Sequence, residues 1–206
     1  MNSQKFFLTN KINILPVLNL CCVEQMMTAM DALREGGLKI VEITFRTACA
    51  PEALRLAVEK YPDFLVGAGT ILNGEQAREA IGLGAQFIVG PGFSEEVQKV
   101  CAESGVPYLP GCVTPTEIMR ALACGIDVVK FFPANIYGGI KAIRALSAAF
   151  PQVRFIPTGG VNAENMEEYL AFDKIVAVGG SWMMQGDAKE IAQKARECVE
   201  KAGKKQ

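Results

Sequence analysis

Residues 38–47 read LKIVEITFRT, and this stretch decides the class of fold. Successive side chains of a strand point to opposite faces of a sheet. One face of this strand is therefore polar and the other apolar, with Glu42, Thr44 and Arg46 on the first and Val41, Ile43 and Phe45 on the second. In a closed parallel sheet covered by helices, the apolar set packs under the helices and the polar set faces the interior. An edge strand with one solvated face is the alternative interpretation.

Short β-branched runs of this kind alternate with amphipathic segments, such as 23–35 and 52–61, along the whole chain. The candidate strands are 12–18, 38–44, 64–68, 86–89, 108–109, 127–131, 154–156 and 174–178. Eight strands, each followed by a helix, predict an α/β fold of the (β/α)₈ TIM-barrel type, with a short N-terminal helix near 3–8. An open doubly wound sheet is the alternative, although residues 19–22 (NLCC) lack the glycine-rich turn typical after its first strand.

Length and charge limit the domain count and the partners. A chain of 206 residues suits one catalytic domain, and no linker divides 1–206. The net charge is -1, without the clustered positive charge typical of nucleic-acid and membrane partners. Residues 1–17 are interrupted by Asn, Lys and Pro, and no apolar run approaches about 18 residues. We therefore expect a cytoplasmic protein with a small-molecule substrate.

The counts of histidine and cysteine restrict the chemistry. The chain has no histidine, which excludes a His-dependent triad and any metal site built on imidazole. Seven cysteines, with no CxxC pair, are typical of reduced, buried thiols and not of a disulfide framework. We expect neither a metal nor a cofactor, so proton transfer must rest on carboxylates, Lys, Tyr, Cys, water or the substrate.

A single lysine lies within the apolar run DVVKFFP at 127–133. Strand parity groups Lys130 with Val128 and Phe132, so a side chain inside the sheet, beside an aromatic ring, is geometrically reasonable. Burial disfavours an ammonium and favours the neutral, nucleophilic amine. The alternative is a lysine at the end of a strand whose ammonium extends to solvent.

Glycine pairs follow the last two candidate strands, at Gly159-Gly160 and Gly179-Gly180, the second pair preceding Ser181. Exposed backbone N–H groups beside the N-terminus of a helix form an anion site that requires no basic side chain. In barrels, the loops after strands seven and eight frequently bind phosphate. Tight strand-to-helix turns are the alternative explanation.

Six segments of the sequence together resemble one known family over nearly the whole chain. They are VEITFRT at 41–47, VGAGT at 66–70, GPGF at 90–93, KFFPA at 130–134, PTGG at 157–160 and GGSW at 179–182. The family is 2-keto-3-deoxy-6-phosphogluconate (KDPG) aldolase, also described as 4-hydroxy-2-oxoglutarate (KHG) aldolase. The resemblance implies a metal-free, Schiff-base (class I) aldolase of sugar-acid metabolism, including the Entner-Doudoroff pathway, on a (β/α)₈ barrel that is usually a trimer.

The resemblance also implies roles for individual residues. Lys130 is similar to the imine-forming lysine, Glu42 to the general acid/base, and Arg46 to the partner of the pyruvate carboxylate. The other matches are Thr70 and Thr158 beside the keto acid, Pro91 and Phe132 as apolar walls, and Gly159, Gly160, Gly180 and Ser181 at a distal phosphate. Some members carry an arginine shortly after the first strand, where this chain has Asn19.

Two other functions share part of this pattern. A phosphate-binding barrel of another class, such as an epimerase, decarboxylase or synthase, would have the late glycine pairs but usually has Asp or His at its strand ends. No Asp, Glu or His is adjacent to Lys130. A non-catalytic ligand-binding barrel is the other alternative, although buried Lys130, Glu42 and Arg46 at one mouth would cost it stability. An aldolase that cleaves KDPG, KHG or both is the predicted function.

Overall fold

Strands and helices alternate regularly along the chain. The computed structural model describes residues 6–7 and 9–203. The strands are β1 (Ile14–Leu18), β2 (Ile40–Thr44), β3 (Leu65–Gly69), β4 (Ile88–Val89), β5 (Tyr108–Leu109), β6 (Val128–Phe131), β7 (Arg154–Pro157) and β8 (Val178–Gly180). The helices are α1 (Val23–Glu35), α2 (Ala50–Lys60), α3 (Gly74–Gly82), α4 (Glu95–Ser104), α5 (Pro115–Ala123), α6 (Gly139–Ala149), α7 (Met166–Leu170) and α8 (Ala188–Gly203). Each strand is thus followed by one helix, and a 3₁₀ turn at Trp182–Met184 precedes α8.

The parallel strands form two sheets that meet at two places. Six strands pair in the order β5-β4-β3-β2-β1-β8, and β6 pairs with β7. Isolated parallel bridges join the two sheets, Gly111 to Lys130 beside β5 and Thr158 to Gly179 beside β8. The result is an α/β fold with a curled parallel sheet and helices outside it, consistent with a (β/α)₈-like barrel.

Strand parity separates an inner core from an outer core. The outer core lies between sheet and helices and contains, for example, Val41 and Ile43 of β2 with Met26 of α1. The inner core takes the opposite parity and contains Leu15, Ile40, Leu109, Val128 and Ile156. Glu42, Lys130 and Thr158 each lie two residues after one of these residues (Ile40, Val128 and Ile156), and so point to the same inner face. A polar layer therefore lies directly above an apolar one, at the carboxyl ends of the strands.

The bottom of the inner core is covered by aromatic residues near the N-terminus. Phe6 and Phe7 are helical and buried, and both belong to the inner cluster. The Phe6 ring lies 5.9 Å, centroid to centroid, from the ring of Phe87. This agrees with the predicted capping helix at 3–8 for Phe6 and Phe7, while residues 3–5 and 8 lie outside the described residues.

Local sequence signals explain where the helices begin and end. At the start of α5, Glu117 N donates to Thr114 Oγ1 and Thr114 N donates to Glu117 Oε2 (2.8 Å), a reciprocal capping box. Helix α4 begins after Ser94, whose Oγ accepts from Val97 N, and it ends at Gly105 with φ +68°. Gly at this position satisfies the last carbonyls of a helix without steric cost. These caps fix where α4 begins and ends and where α5 begins.

The last strand differs from its prediction. We expected a strand at 174–178 followed by a Gly-Gly turn, whereas β8 is Val178–Gly180 and includes both glycines. Ile175 instead forms an isolated bridge with Phe155. Gly180 has no side chain, and the Trp182 ring occupies the space in which a Cβ of Gly180 would lie. Packing of this ring therefore requires glycine within β8. The segment predicted at 52–61 is helix α2, which begins earlier, at Ala50.

Two further expectations concern cysteines and membranes. All seven cysteines are free, but Cys101, Cys112 and Cys198 alone are buried, so the expectation of generally buried thiols is wrong for the other four. Burial raises the pKa of the Cys101 and Cys112 thiols to about 12, which keeps both protonated at neutral pH. Within the described ranges, no helix has both the length and the apolar character that a bilayer crossing demands.

Candidate active site

Lys130 lies inside the sheet, on β6. Its residue surface is 7 % exposed, and Val128, two residues before it on the same face of the strand, belongs to the apolar inner core. Its Nζ lies 3.4 Å from Glu42 Oε1 and 5.2 Å from the centroid of the Phe132 ring. The structure therefore places Lys130 in the buried position expected from strand parity, and not at a solvated strand end. A carboxylate oxygen and an aromatic face are thus neighbours of its amine.

Glu42 reaches the same point from β2. It is 1 % exposed, and Oε1 accepts from Lys130 Nζ. Oε2 is buried and has no hydrogen-bond partner among residues 6–7 and 9–203. Buried polar atoms are nearly always satisfied, so an unpartnered carboxylate oxygen beside an amine is suited to exchange hydrogen bonds or a proton with a small molecule.

Gly69 provides the space for the Glu42 carboxylate. A Cβ built on Gly69 would contact Glu42 Oε1 and lie 2.5 Å from Cγ and 2.6 Å from Cδ. Gly69 pairs with Thr44 in the parallel register of β2 and β3, so its backbone cannot move aside without disturbing the sheet. Glycine at the end of β3 is thus a steric requirement of the site.

Arg46 and Thr70 form a second polar pair at the carboxyl ends of β2 and β3. Arg46 Nε donates to Thr70 Oγ1 over 3.0 Å. Thr70 adopts φ +59°, an uncommon conformation for a β-branched residue, and such strain often occurs at functional sites. The terminal nitrogens of Arg46 make no hydrogen bond or ion pair with other described residues. A guanidinium held through Nε in this way keeps its planar fork free for a carboxylate.

A cavity of about 250 Å³ connects most of these groups. Of the predicted site residues, eight line it: Arg46, Lys130, Phe132, Thr158, Gly159, Gly160, Gly180 and Ser181. Glu42 and Thr70 reach it through their contacts with Lys130 and Arg46. Pro91 is exposed and does not line this cavity, and its carbonyl lies where a Cβ of Gly111 would be. Ten of the eleven predicted residues therefore converge.

Five lining residues were not predicted: Val17, Asn19, Val161, Trp182 and Gln185. Val17 is level with Glu42 in the register of β1 and β2, so strand pairing would have identified it. The one sequence signal at Asn19 is that some related sequences carry an arginine there. Gln185 follows the 3₁₀ turn at Trp182–Met184, and nothing in the sequence pattern indicates that this turn folds back over the cavity.

The glycines at the far end of the cavity are required by close packing. Gly159 and Gly160 have φ +89° and +80°, which non-glycine residues rarely adopt. A Cβ on Gly160 would also collide with the side chain of Asn135. Asn165 Nδ2 fixes this turn by donating to Gly160 O over 2.9 Å. The turn geometry thus has a structural cause, and it leaves backbone at the cavity wall, where a side chain would otherwise fill the space.

A family model, the KDPG and KHG aldolases, matches residues 7–200. This chain belongs to the KDPG and KHG aldolase family. It is an aldolase and therefore a lyase, which decides against an epimerase, a synthase and a non-catalytic barrel. Among the described residues, no three His, Cys, Asp or Glu side chains are grouped so as to hold a metal ion.

Curated aldolases resemble the chain over most of their length. The 2-dehydro-3-deoxy-phosphogluconate aldolase of Treponema pallidum is 45 % identical over 174 residues, covering 84 % of this chain and 83 % of the relative. The KHG/KDPG aldolase of Escherichia coli K12 is 40 % identical over 195 residues and 92 % of each chain. A crystal structure of KDPG aldolase from Legionella pneumophila, with pyruvate captured as a covalent carbinolamine intermediate, has a TM-score of 0.87 and 36 % identity, covering 90 % of this chain and 93 % of the other.

Proposed function

We propose that this aldolase uses Lys130 to form a Schiff base with the keto acid and cleaves KDPG to pyruvate and glyceraldehyde 3-phosphate, KHG to pyruvate and glyoxylate, or both. The observation that carries this proposal is the buried approach of Lys130 to Glu42, 3.4 Å apart beside the cavity. The covalent carbinolamine in the Legionella pneumophila relative supports it, because a carbinolamine precedes an imine. Steady-state release of pyruvate from the two substrates tests it and measures which is preferred.

The proposed cleavage balances without a cofactor. The Lys130 amine attacks the C2 carbonyl, the carbinolamine loses water, and a protonated imine forms. The imine accepts the electron pair of the C3–C4 bond, while Glu42 takes the C4 hydroxyl proton, directly or through water. The aldehyde leaves, the enamine is protonated at C3, and water hydrolyses the imine to pyruvate and free Lys130.

The binding roles follow the length of the cavity. Arg46, oriented by Thr70, holds the carboxylate common to both substrates, and Thr158 lies beside the keto acid. Phe132 provides an apolar wall against Lys130. The backbone at Gly159, Gly160 and Gly180, together with Ser181, binds the distal phosphate. Pro91 as a second wall residue stays a prediction, since it is not part of the cavity lining.

The wider organisation is proposed on the same basis. The two bridges between the sheets support a closed (β/α)₈ TIM barrel, and the match to residues 7–200 supports one catalytic domain over 1–206. A homotrimer, and a location in the cytoplasm, remain predictions from the sequence. Gel filtration with light scattering would measure the first.

Arg46→Lys should weaken cleavage of phosphorylated and unphosphorylated substrates by a similar factor. Lysine keeps the charge but loses the planar fork that matches a carboxylate, and it cannot reproduce the Nε bond to Thr70. Both substrates share the carboxylate, so kcat/KM should fall for both by about tenfold or more. Arg55→Lys, on the outer surface of α2, is the matched control. A loss confined to the phosphorylated substrate would place Arg46 at the wrong end of the cavity.

Ser181→Ala should lower kcat/KM for the phosphorylated substrate, KDPG, but not for KHG. The change removes one hydroxyl donor to a charged oxygen, worth about 1.5–3 kcal/mol. We therefore expect kcat/KM for KDPG to fall by roughly tenfold to a hundredfold, because each 1.4 kcal/mol is tenfold. Cleavage of KHG should hardly change. Equal losses with both substrates would mean that the late glycines are ordinary turns and that phosphate does not bind there.

Gly69→Ala should lower activity through Glu42. The added methyl group occupies the position of the Glu42 carboxylate, which must swing away from Lys130. Small displacements of a catalytic group are costly, up to about 10²-fold for 1 Å, so kcat should fall by at least tenfold. Gly92→Ala is the control, because a Cβ at Gly92 has nothing within 4 Å. Full activity in the folded Gly69→Ala protein would contradict the steric role of Gly69.

A further inference from the structure

Asn19 and Thr44 form a polar pair at the cavity that the proposed mechanism does not use. Asn19 directly follows β1 and lines the cavity. Thr44 ends β2 and is 1 % exposed. Since Val17 pairs with Glu42 and Leu18 with Ile43 in a parallel register, Asn19 comes level with Thr44. The pair therefore lies one step nearer the mouth of the cavity than Val17 and Glu42.

The Thr44 hydroxyl fixes the orientation of the Asn19 amide. Thr44 Oγ1 lies 2.8 Å from Asn19 Oδ1 and 3.3 Å from Leu18 O, and its one hydrogen can be donated to only one of these acceptors. The shorter distance favours the amide oxygen. Asn19 Nδ2 then points away from Thr44, and no described residue accepts a hydrogen bond from it. A buried threonine thus presents two amide hydrogens at the cavity surface.

The sheet order locates the part of the substrate that these hydrogens would meet. Strand β1 lies between β2, which carries Glu42 and is followed by Arg46, and β8, which is followed by Ser181. The carboxylate is proposed to bind at Arg46 and the distal group at Ser181. Asn19, which follows β1, lines the cavity between these two ends. We expect the carbons that come from the aldehyde to lie in this part of the cavity.

We infer that Asn19 is a specificity-determining residue, which donates a hydrogen bond from Nδ2 to a hydroxyl oxygen of the aldehyde fragment, and that Thr44 is its positioning residue. The inference rests on the proposed aldolase function and names a preference within it. The preferred acceptors are aldehydes that carry hydroxyl groups next to the reacting carbon. A site built to hydrogen-bond a hydroxyl discriminates against the analogue that lacks it, because its own polar group is then left unpaired.

The test compares two neutral aldehydes in the addition direction. Each enzyme is assayed with pyruvate and either glyceraldehyde or propanal, which lacks both hydroxyls, and the ratio of the two kcat/KM values is measured. Asn19→Val should lower the ratio about five- to tenfold, the usual worth of one neutral hydrogen bond. Asn13→Val is the matched control, the same exchange just before the other end of β1, and it should keep the wild-type ratio. A wild-type ratio in Asn19→Val would overturn the inference.

Two further sets of variants separate donor from acceptor and positioning from structure. Asn19→Asp keeps the size of the side chain and an oxygen that accepts from the Thr44 hydroxyl, but it has no side-chain N–H group. It should therefore lower the ratio as Asn19→Val does. An unchanged ratio in Asn19→Asp would mean that the amide oxygen faces the substrate, against the inference. Thr44→Val should lower the ratio and Thr44→Ser should restore it, because serine keeps the hydroxyl. Equal ratios in Thr44→Val and wild type would remove Thr44 from its positioning role.

One measurement distinguishes failure of this inference from failure of the proposed function. Borohydride reduction with pyruvate alone reports on the imine at Lys130 and involves no aldehyde. Absence of an adduct in the wild-type protein would overturn the aldolase mechanism and the inference together. An adduct in the wild-type protein, with a substrate ratio that does not respond to Asn19, would overturn the inference alone.

Discussion

Lys130→Met should abolish cleavage, with kcat lower by about 10⁴-fold or more, the scale on which loss of a covalent nucleophile acts in other enzymes. Without the amine no imine forms, and the C3–C4 bond has no electron sink. Borohydride with pyruvate should add one pyruvate-derived group per wild-type chain, located on Lys130 by peptide mapping, and none to the variant. Lys141→Met, on the exposed side of α6, is the control and should behave as wild type. An adduct on Lys39, Lys141 or Lys174 would contradict the assignment.

The same variant should also affect stability, because it leaves Glu42 without its partner. Removing one member of a buried ion pair typically costs about 3–5 kcal/mol, since the remaining charge is buried and uncompensated. The double variant Lys130→Met/Glu42→Gln carries no charge at this point and should recover much of the loss in denaturant midpoint. Activity should be absent in both proteins. The denaturant midpoint therefore measures the effect on stability independently of the effect on catalysis.

Glu42→Gln should retain the fold and bind pyruvate but turn over at least about 10²-fold more slowly, the usual contribution of a positioned general acid/base. The amide keeps the size of the carboxylate but cannot accept the C4 hydroxyl proton. Single-turnover cleavage should show the loss in the chemical step, with little change in the pyruvate concentration that half-saturates trapping. Glu52→Gln, exposed on α2, is the control. Near-normal turnover in the folded Glu42→Gln protein would assign proton transfer to water or to another residue.

Strand parity was sufficient to predict how the central residues converge. Glu42 and Lys130 are 88 positions apart in sequence, yet each is the one charged residue of its strand, and both occupy the layer above the inner core. The period of two in a strand and the parallel alignment of carboxyl ends together place them at one mouth. Neither the period nor the alignment depends on loop conformation, so both residues can be placed at this mouth from the sequence alone.

The parts that were missed depend on tertiary packing. Trp182 and Gln185 reach the cavity because the 3₁₀ turn after β8 folds over it, and Gly180 accommodates the Trp182 ring. The glycines of β8 resembled a turn, since their pairing with Leu15 and Pro16 of β1 is invisible in a single segment. Pro91 was expected as an apolar wall on the basis of the family resemblance, and it does not line the cavity.

The division of the strands into two sheets has a consequence for the reaction centre. Lys130 belongs to the β6–β7 pair and Glu42 to the six-stranded sheet, so neither sheet contains both reacting groups. Their distance is set where the sheets adjoin, and at one of these junctions Lys130 itself is the bridging residue. Gly111 and Gly179 form the other halves of the two junctions, each with a neighbouring backbone or hydroxyl oxygen in the place of a side chain. Turnover therefore depends on both sheets being assembled, because a fragment that holds either sheet alone lacks one of the two reacting groups.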